Sequence, residues 1–194
     1  MKIFYIITIC LGCSMIANGQ QEDEFKNEEF FNITKFTYIS LNSAELEEFR
    51  EGQGLFRTDL DTDNSQVYSL KTIFGYFLSP HWSLGAGIGL DGYHNPNFNT
   101  APLFIDIRGY FVDGKNTSFA FLDLGTLLKL SNEFEKGYML ETGVGYKFFA
   151  SENIAMVFSI NASFKGLSLT NQNYTESDRI VDLRGVGFTL GFIF

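Results

Sequence analysis

Charged side chains inside apolar stretches are the first residues in this sequence that could do chemistry. Asp106 and Arg108 sit in LFIDIRGYF, Asp123 in FAFLDLGTL, and Glu141 and Lys147 in YMLETGVGYKF. A charge in such surroundings is costly unless it is paired. If the turn near 113–116 joins two strands, Asp106 falls opposite Asp123 and Arg108 lies diagonal to Asp123, so Arg108 is the expected cation between two carboxylates. Embedded charges of this kind can serve an ion path or a proton relay. The structural alternative, a lumen charge network filling a narrow interior, is the expectation. A second cluster, Asp59, Asp61 and Asp63 followed by Asn64, has the spacing that opens a calcium loop. Its twelfth position is Leu70 rather than a bidentate Glu, so no metal and no other cofactor is expected. The stretch then reads as a solvated acidic loop continuous with Glu45, Glu47, Glu48 and Glu51. No Ser-His-Asp arrangement, Walker loop or zinc spacing is present in the sequence.

Those five charges need elements to hold them, and the elements announce themselves by alternation. In WSLGAGIGL, Trp82, Leu84, Ala86, Ile88 and Leu90 alternate with Ser83, Gly85, Gly87 and Gly89. In YMLETGVGYKF, one face carries Tyr138, Leu140, Val144, Tyr146 and Phe148, and the other carries Glu141, Gly143, Gly145 and Lys147. RGVGFTLGFIF sets Val186, Phe188, Leu190, Phe192 and Phe194 against Gly185, Gly187, Thr189 and Gly191. Period two is the strand signature, because successive side chains point to opposite faces. The spacing predicts eight strands, near 31–43, 66–78, 81–91, 101–112, 117–130, 137–149, 153–165 and 180–194. The outward face of the first is not legible. Short turns at 79–80, 113–116 and 150–152 alternate with longer connections at 44–65, 92–100, 131–136 and 166–179, which is the up-and-down barrel pattern of outer membranes.

The N-terminus supplies an address. Lys2, an apolar run from Ile3 to Ile16 and Ala17-Asn18-Gly19 read as a secretory signal peptide over 1–19. An acidic segment, 20–30, precedes a barrel domain over 31–194. Both cysteines, Cys10 and Cys13, lie in the signal, so the expected mature chain has neither a disulfide nor a thiolate nucleophile. Lipidation of Cys13 is the alternative processing. The 22 Phe, 9 Tyr and 19 Gly against 3 Pro favour strands and tight turns, and the net charge of −9 argues against a nucleic-acid partner.

A soluble barrel would bury its Phe/Leu face, whereas a transmembrane barrel presents it to lipid. The second arrangement is expected here, because the opposite face is rich in glycine and carries the charges. The signal peptide, the GAGIG strand and the terminal VGFTLGFIF resemble the small eight-stranded outer-membrane β-barrels of didermic bacteria, the OmpX and OmpA membrane-domain type, and the outer membrane protein beta-barrel domain chains of Bacteroidetes. The resemblance implies an all-β, eight-stranded antiparallel transmembrane barrel, monomeric, in the bacterial outer membrane. It also implies that Phe188, Leu190, Phe192 and Phe194 form the closing-strand signal read by the barrel-assembly machinery. Expected partners are outer-membrane lipid, lipopolysaccharide through Arg184, and an unidentified extracellular ligand on the long loops. The leading functional expectation is a structural or surface-binding role without catalysis. The alternatives are an accessory factor of a secretion or transport assembly, and a lipid-modifying enzyme. His81-Trp82-Ser83 resembles the His/Ser pairs of outer-membrane lipid A acyl hydrolases, with His94 as a further candidate.

Overall fold

The computed structural model describes residues 27–50, 54–95, 98–114, 116–130, 134–151, 154–169 and 179–194. The expected signal peptide, Cys10 and Cys13, and most of the acidic segment lie outside the described residues. Among the described residues nine strands follow one another: β1 (Phe30–Arg50), β2 (Gly54–Asp59), β3 (Gln66–Ser79), β4 (Trp82–His94), β5 (Asn99–Tyr110), β6 (Thr117–Lys129), β7 (Phe134–Ser151), β8 (Ile154–Leu169) and β9 (Arg179–Ile193). Eight of them, β1 and β3 to β9, pair antiparallel with their neighbours, and β9 returns to β1, which closes the barrel. Closure removes the sheet edges that a membrane cannot hydrate. Asn32 and Phe194 exchange both backbone hydrogen bonds, at 3.1 and 2.9 Å, so the chain ends at the rim where β1 begins.

The alternation predicted which side chains go where. Trp82, Leu84, Ile88 and Leu90 of β4, and Val186, Phe188 and Phe192 of β9, are exposed on the outside. The glycines between them face in, and at Gly87 any Cβ would collide with the Phe104 ring. From Val186 on β9 to Phe194 just beyond it, the outward side chains are all apolar. At about 3.3 Å per residue and a tilt of about 40°, that stretch spans about 23 Å, close to the ~25 Å apolar band of such barrels. Aromatic residues border the band. Phe30 and Tyr76 lie 4.9 Å apart at one end, and Tyr38 and Tyr68 lie 5.5 Å apart at the other.

Two features differ from what the sequence predicts, and a third settles a point it leaves open. The inner face is not merely small and polar. Val67, Tyr93, Leu127, Met139, Leu167 and Leu183 close the interior at the end of the long connections. Phe31, Phe77, Tyr110 and Phe119 fill it at the other, with ring centroids 4.7 to 6.0 Å apart in succession. Glycines on one stave make room for these rings from another. Next, the segment 44–65 is not simply a loop. β1 runs on to Arg50, and β2 pairs back on it from Glu45↔Asp59 to Arg50↔Gly54. A bulge between Leu41 and Ser43 shifts the register, so Ala44 is buried where strict alternation would turn it out. Lastly, β1 has its outward face settled. Asn32, Thr34, Phe36, Tyr38 and Ser40 face out, and Phe31, Ile33, Lys35, Thr37, Ile39 and Leu41 are buried inside. The outward Asn32 amide donates to Thr72 Oγ1 and to the Ile73 carbonyl, both at 3.1 Å, which satisfies it against the wall.

Candidate functional site

Each mid-strand charge is placed by the inward parity of its stave. Going round the wall, the staves run β1, β3, β4, β5, β6, β7, β8, β9, so β1 lies across from β6, β3 from β7, β4 from β8 and β5 from β9. Lys35 of β1 meets Asp123 of β6 at 2.7 Å. Lys71 of β3 meets Glu141 of β7 at 2.6 Å. Lys165 of β8 meets Asp91 of β4 at 2.7 Å and reaches Glu141 at 3.6 Å. Three diameters are therefore braced by an ion pair. The fourth is not: β9 turns Gly185, Gly187, Thr189 and Gly191 inward, and Arg108 of β5 folds back on Asp106 of its own strand, with Nε 2.8 and 3.0 Å from the two carboxylate oxygens and Nη2 2.9 Å from one of them.

All of these charges are essentially inaccessible, with exposures of 3% or less. Their remaining hydrogen-bonding capacity is largely met within the barrel. Ser69 donates to Asp91 at 2.5 Å, Thr100 to the same carboxylate at 3.3 Å, and Ser163 to Glu141 at 3.4 Å. Aromatic faces surround the cations. The Lys35 ammonium lies 4.9 Å from the Phe121 ring centre, Lys71 lies 5.4 Å from that of Phe104, and the Arg108 guanidinium 5.2 Å from that of Phe119.

Asp106 and Asp123 face one another across the β5–β6 ladder, the register expected from the 113–116 turn. Arg108 does not mediate between them. Each carboxylate has its own cation, and that of Asp123 comes from the far wall. Lys147 stands apart from the network at the rim of the short turns, hydrogen-bonded to the Asn27 side-chain oxygen. Asn27 in turn donates to the Pro80 carbonyl at 3.0 Å, so the residue laid across that mouth ties two staves together. Four members of the interior set, Lys35, Lys71, Asp91 and Lys165, were not assigned to the network from sequence. Lys71 and Lys165 had the signal, since each shares the phase of inward neighbours. Lys35 lay on the stave of undecided parity, and Asp91 at a strand end.

Asp59 ends β2, and Asp61 accepts the Asp63 backbone N–H at 2.9 Å in the following turn. Among the described residues, no group of three or more His, Cys, Asp or Glu side chains is arranged to hold a metal ion. His81 is exposed in the short turn before β4, His94 is exposed at the far end of that strand, and Ser83 is buried toward the lumen. The length of β4 keeps the two histidines from converging. Arg184 projects from β9 just above the apolar band, half exposed, with its guanidinium 3.9 Å from Glu45.

No protein-family model matches the chain, and no curated protein matches it by sequence. Solved structures match by fold. The outer membrane protein OprG from Pseudomonas aeruginosa superposes with a TM-score of 0.57 at 11% identity, over 87% of this chain and 95% of that one. The outer membrane protein AlkL in DMPC lipid bilayers gives a TM-score of 0.53 at 13% identity, over 91% and 95% of the two chains. With the Phe/Leu face on the outside, the assignment follows. Its fold is that of the eight-stranded outer-membrane β-barrels, with the apolar face turned outward. The soluble alternative fails on orientation, because a soluble barrel could not leave Phe74, Ile88, Ile105, Ile160 and Phe188 on its surface together. For an outer-membrane barrel, the rim of short turns is the periplasmic one and the β1–β2 hairpin rises on the outer side. Phe188, Leu190 and Phe192 project from the outer surface of β9, and Phe194 follows the strand in the same phase.

Proposed function

We propose that this barrel is a surface-binding protein of the outer membrane rather than a pore or an enzyme, and that the wall raised by β1 and β2 is its binding element. The cross-braced lumen carries this reading. A passing ion would have to displace pairs that span the barrel and then cross an apolar layer at each end. The barrel wall ends unevenly on the outer side. β3 pairs with β1 only as far as Ser40, whereas β1 continues for ten residues to Arg50 with β9 on one flank and β2 on the other. Ten residues correspond to about 33 Å along the strand. The hairpin presents Leu55, Arg57, Leu60 and an acidic set that includes Glu47 and Asp59 to the exterior.

Reconstitution into planar bilayers tests the closed lumen. The expected result is no unit conductance in 1 M KCl, and stable single-channel steps would overturn the reading. Whole cells carrying the barrel with 45–59 replaced by a Gly-Asn turn should then lose whatever surface adhesion the intact protein confers, while keeping the barrel in the membrane. Unchanged adhesion would move the binding element away from the hairpin.

A further inference from the structure

We propose that the outer surface of β7, β8, β9 and β1, at the upper edge of the apolar band, holds the headgroup of an outer-leaflet lipid that carries a phosphate with an ammonium group above it. A recess of about 300 Å³ lies there, lined in part by Tyr138, Phe164, Asp182 and Arg184. Its polar groups are fixed from below. Gly166 is the outward position of β8 between Tyr138 and Asp182 in the ladders, and the Tyr138 ring covers it, where any Cβ would collide. The Tyr138 hydroxyl reaches across to donate to Asp182 Oδ1 at 2.7 Å. Among the described residues no donor meets the other Asp182 carboxylate oxygen, which is therefore open to an incoming one.

The chemistry follows from the vertical order on β9. Phe192, Leu190, Phe188 and Val186 climb the band, Arg184 comes next, and Asp182 stands above it. Arg184 is neighboured in register by Phe164 on one side and Ser43 on the other, and its nearest carboxylate among the described residues, Glu45, is 3.9 Å away, beyond hydrogen-bond distance. The guanidinium therefore has donors to spare at the depth where lipid phosphates lie. A purely anionic headgroup would run into Asp182 and Glu45 above the phosphate. A purely cationic one would meet Arg184 first. A phosphate with an ammonium one short linker further out meets a cation and then carboxylates, while its acyl chains lie along Val186, Phe188 and Ile160.

Native mass spectrometry of the full-length folded barrel, released from dodecyl maltoside, tests this with two phospholipids of identical chains. Phosphatidylethanolamine should be retained about tenfold more than phosphatidylglycerol, the size of one charge-assisted hydrogen bond. In Arg184→Gln the retention of both should fall to that of diacylglycerol. In Asp182→Asn the preference should vanish by a gain for phosphatidylglycerol. The heat-dependent gel shift of each variant reports whether its barrel is closed. Equal retention of the two lipids by the wild-type protein overturns the proposal without recourse to any variant, and so does unchanged phosphatidylethanolamine retention in a closed Arg184→Gln barrel. Displacement of the lipid by millimolar inorganic phosphate would mean a bare phosphate site and would also overturn it.

Discussion

The interior and the raised wall of this barrel use the same device, a lysine or arginine beside a carboxylate, under opposite conditions. Inside, Lys71 and Glu141 are at most 1% exposed and 2.6 Å apart. On the wall, Arg57 and Glu47 are also 2.6 Å apart, but the arginine side chain is 65% exposed. Geometry alone does not separate the two pairs. Surroundings do. Water screens the outer pair and competes for its donors, so it adds little to stability. The inner ions have no water to return to, so each depends on its partner, and losing one partner leaves a buried charge alone. The interior pairs therefore fix the barrel's internal arrangement, and the wall pairs leave the hairpin free to meet something else.

The largest effect should come from the carboxylate that serves two cations. Glu141→Ala removes the partner of Lys71 and the second partner of Lys165. It should cost about 3–5 kcal/mol in urea unfolding of the vesicle-inserted barrel, since that is the usual penalty for orphaning one member of a buried pair. A loss below about 1 kcal/mol would mean that water reaches the lumen and that the contrast with the wall is false. A smaller change of opposite sign should follow from removing a whole pair. Lys35→Met with Asp123→Leu takes both charges out of the β1–β6 brace and should leave stability unchanged or raise it by about 1 kcal/mol or more, whereas either single change should destabilise the barrel. Equal losses for the double and the singles would show that the pair itself contributes net stability. The smallest effect belongs to the wall. Arg57→Ala should shift the same unfolding curve by less than about 1 kcal/mol, and raising the salt concentration should shrink even that shift. A loss as large as that of Glu141→Ala would place the hairpin among the parts on which the barrel depends.

β4 and β9 were transparent in the sequence, because bulky apolar side chains alternate with glycine and a period of two is a property of neighbouring residues. β1 was opaque. Its inward Ile33 and Ile39 are more apolar than its outward Asn32, Thr34 and Ser40, and its bulge after Leu41 breaks the period. The interior charges were partly visible as charges in apolar runs, but their partners were not. Lys35 and Asp123 are 88 residues apart, Lys71 and Glu141 70, and Lys165 and Asp91 74. Strand order points to partners on the adjacent strand, where Arg108 lies diagonal to Asp123. The closed sheet instead brings Lys35 from the opposite stave.

Read by itself, the chain settled the strand period and, on every stave but the first, the side that meets lipid, because these follow from the alternation of side chains along single strands; the expectation of an outer-membrane barrel came from the order of short and long connections and from the resemblance. Which charge neutralises which, where the wall rises, and how Tyr138, Asp182 and Arg184 come to share one recess were decided only when the sheet closed on itself. Closure sets the distance across the lumen and the register between staves, and neither is a property of any single segment.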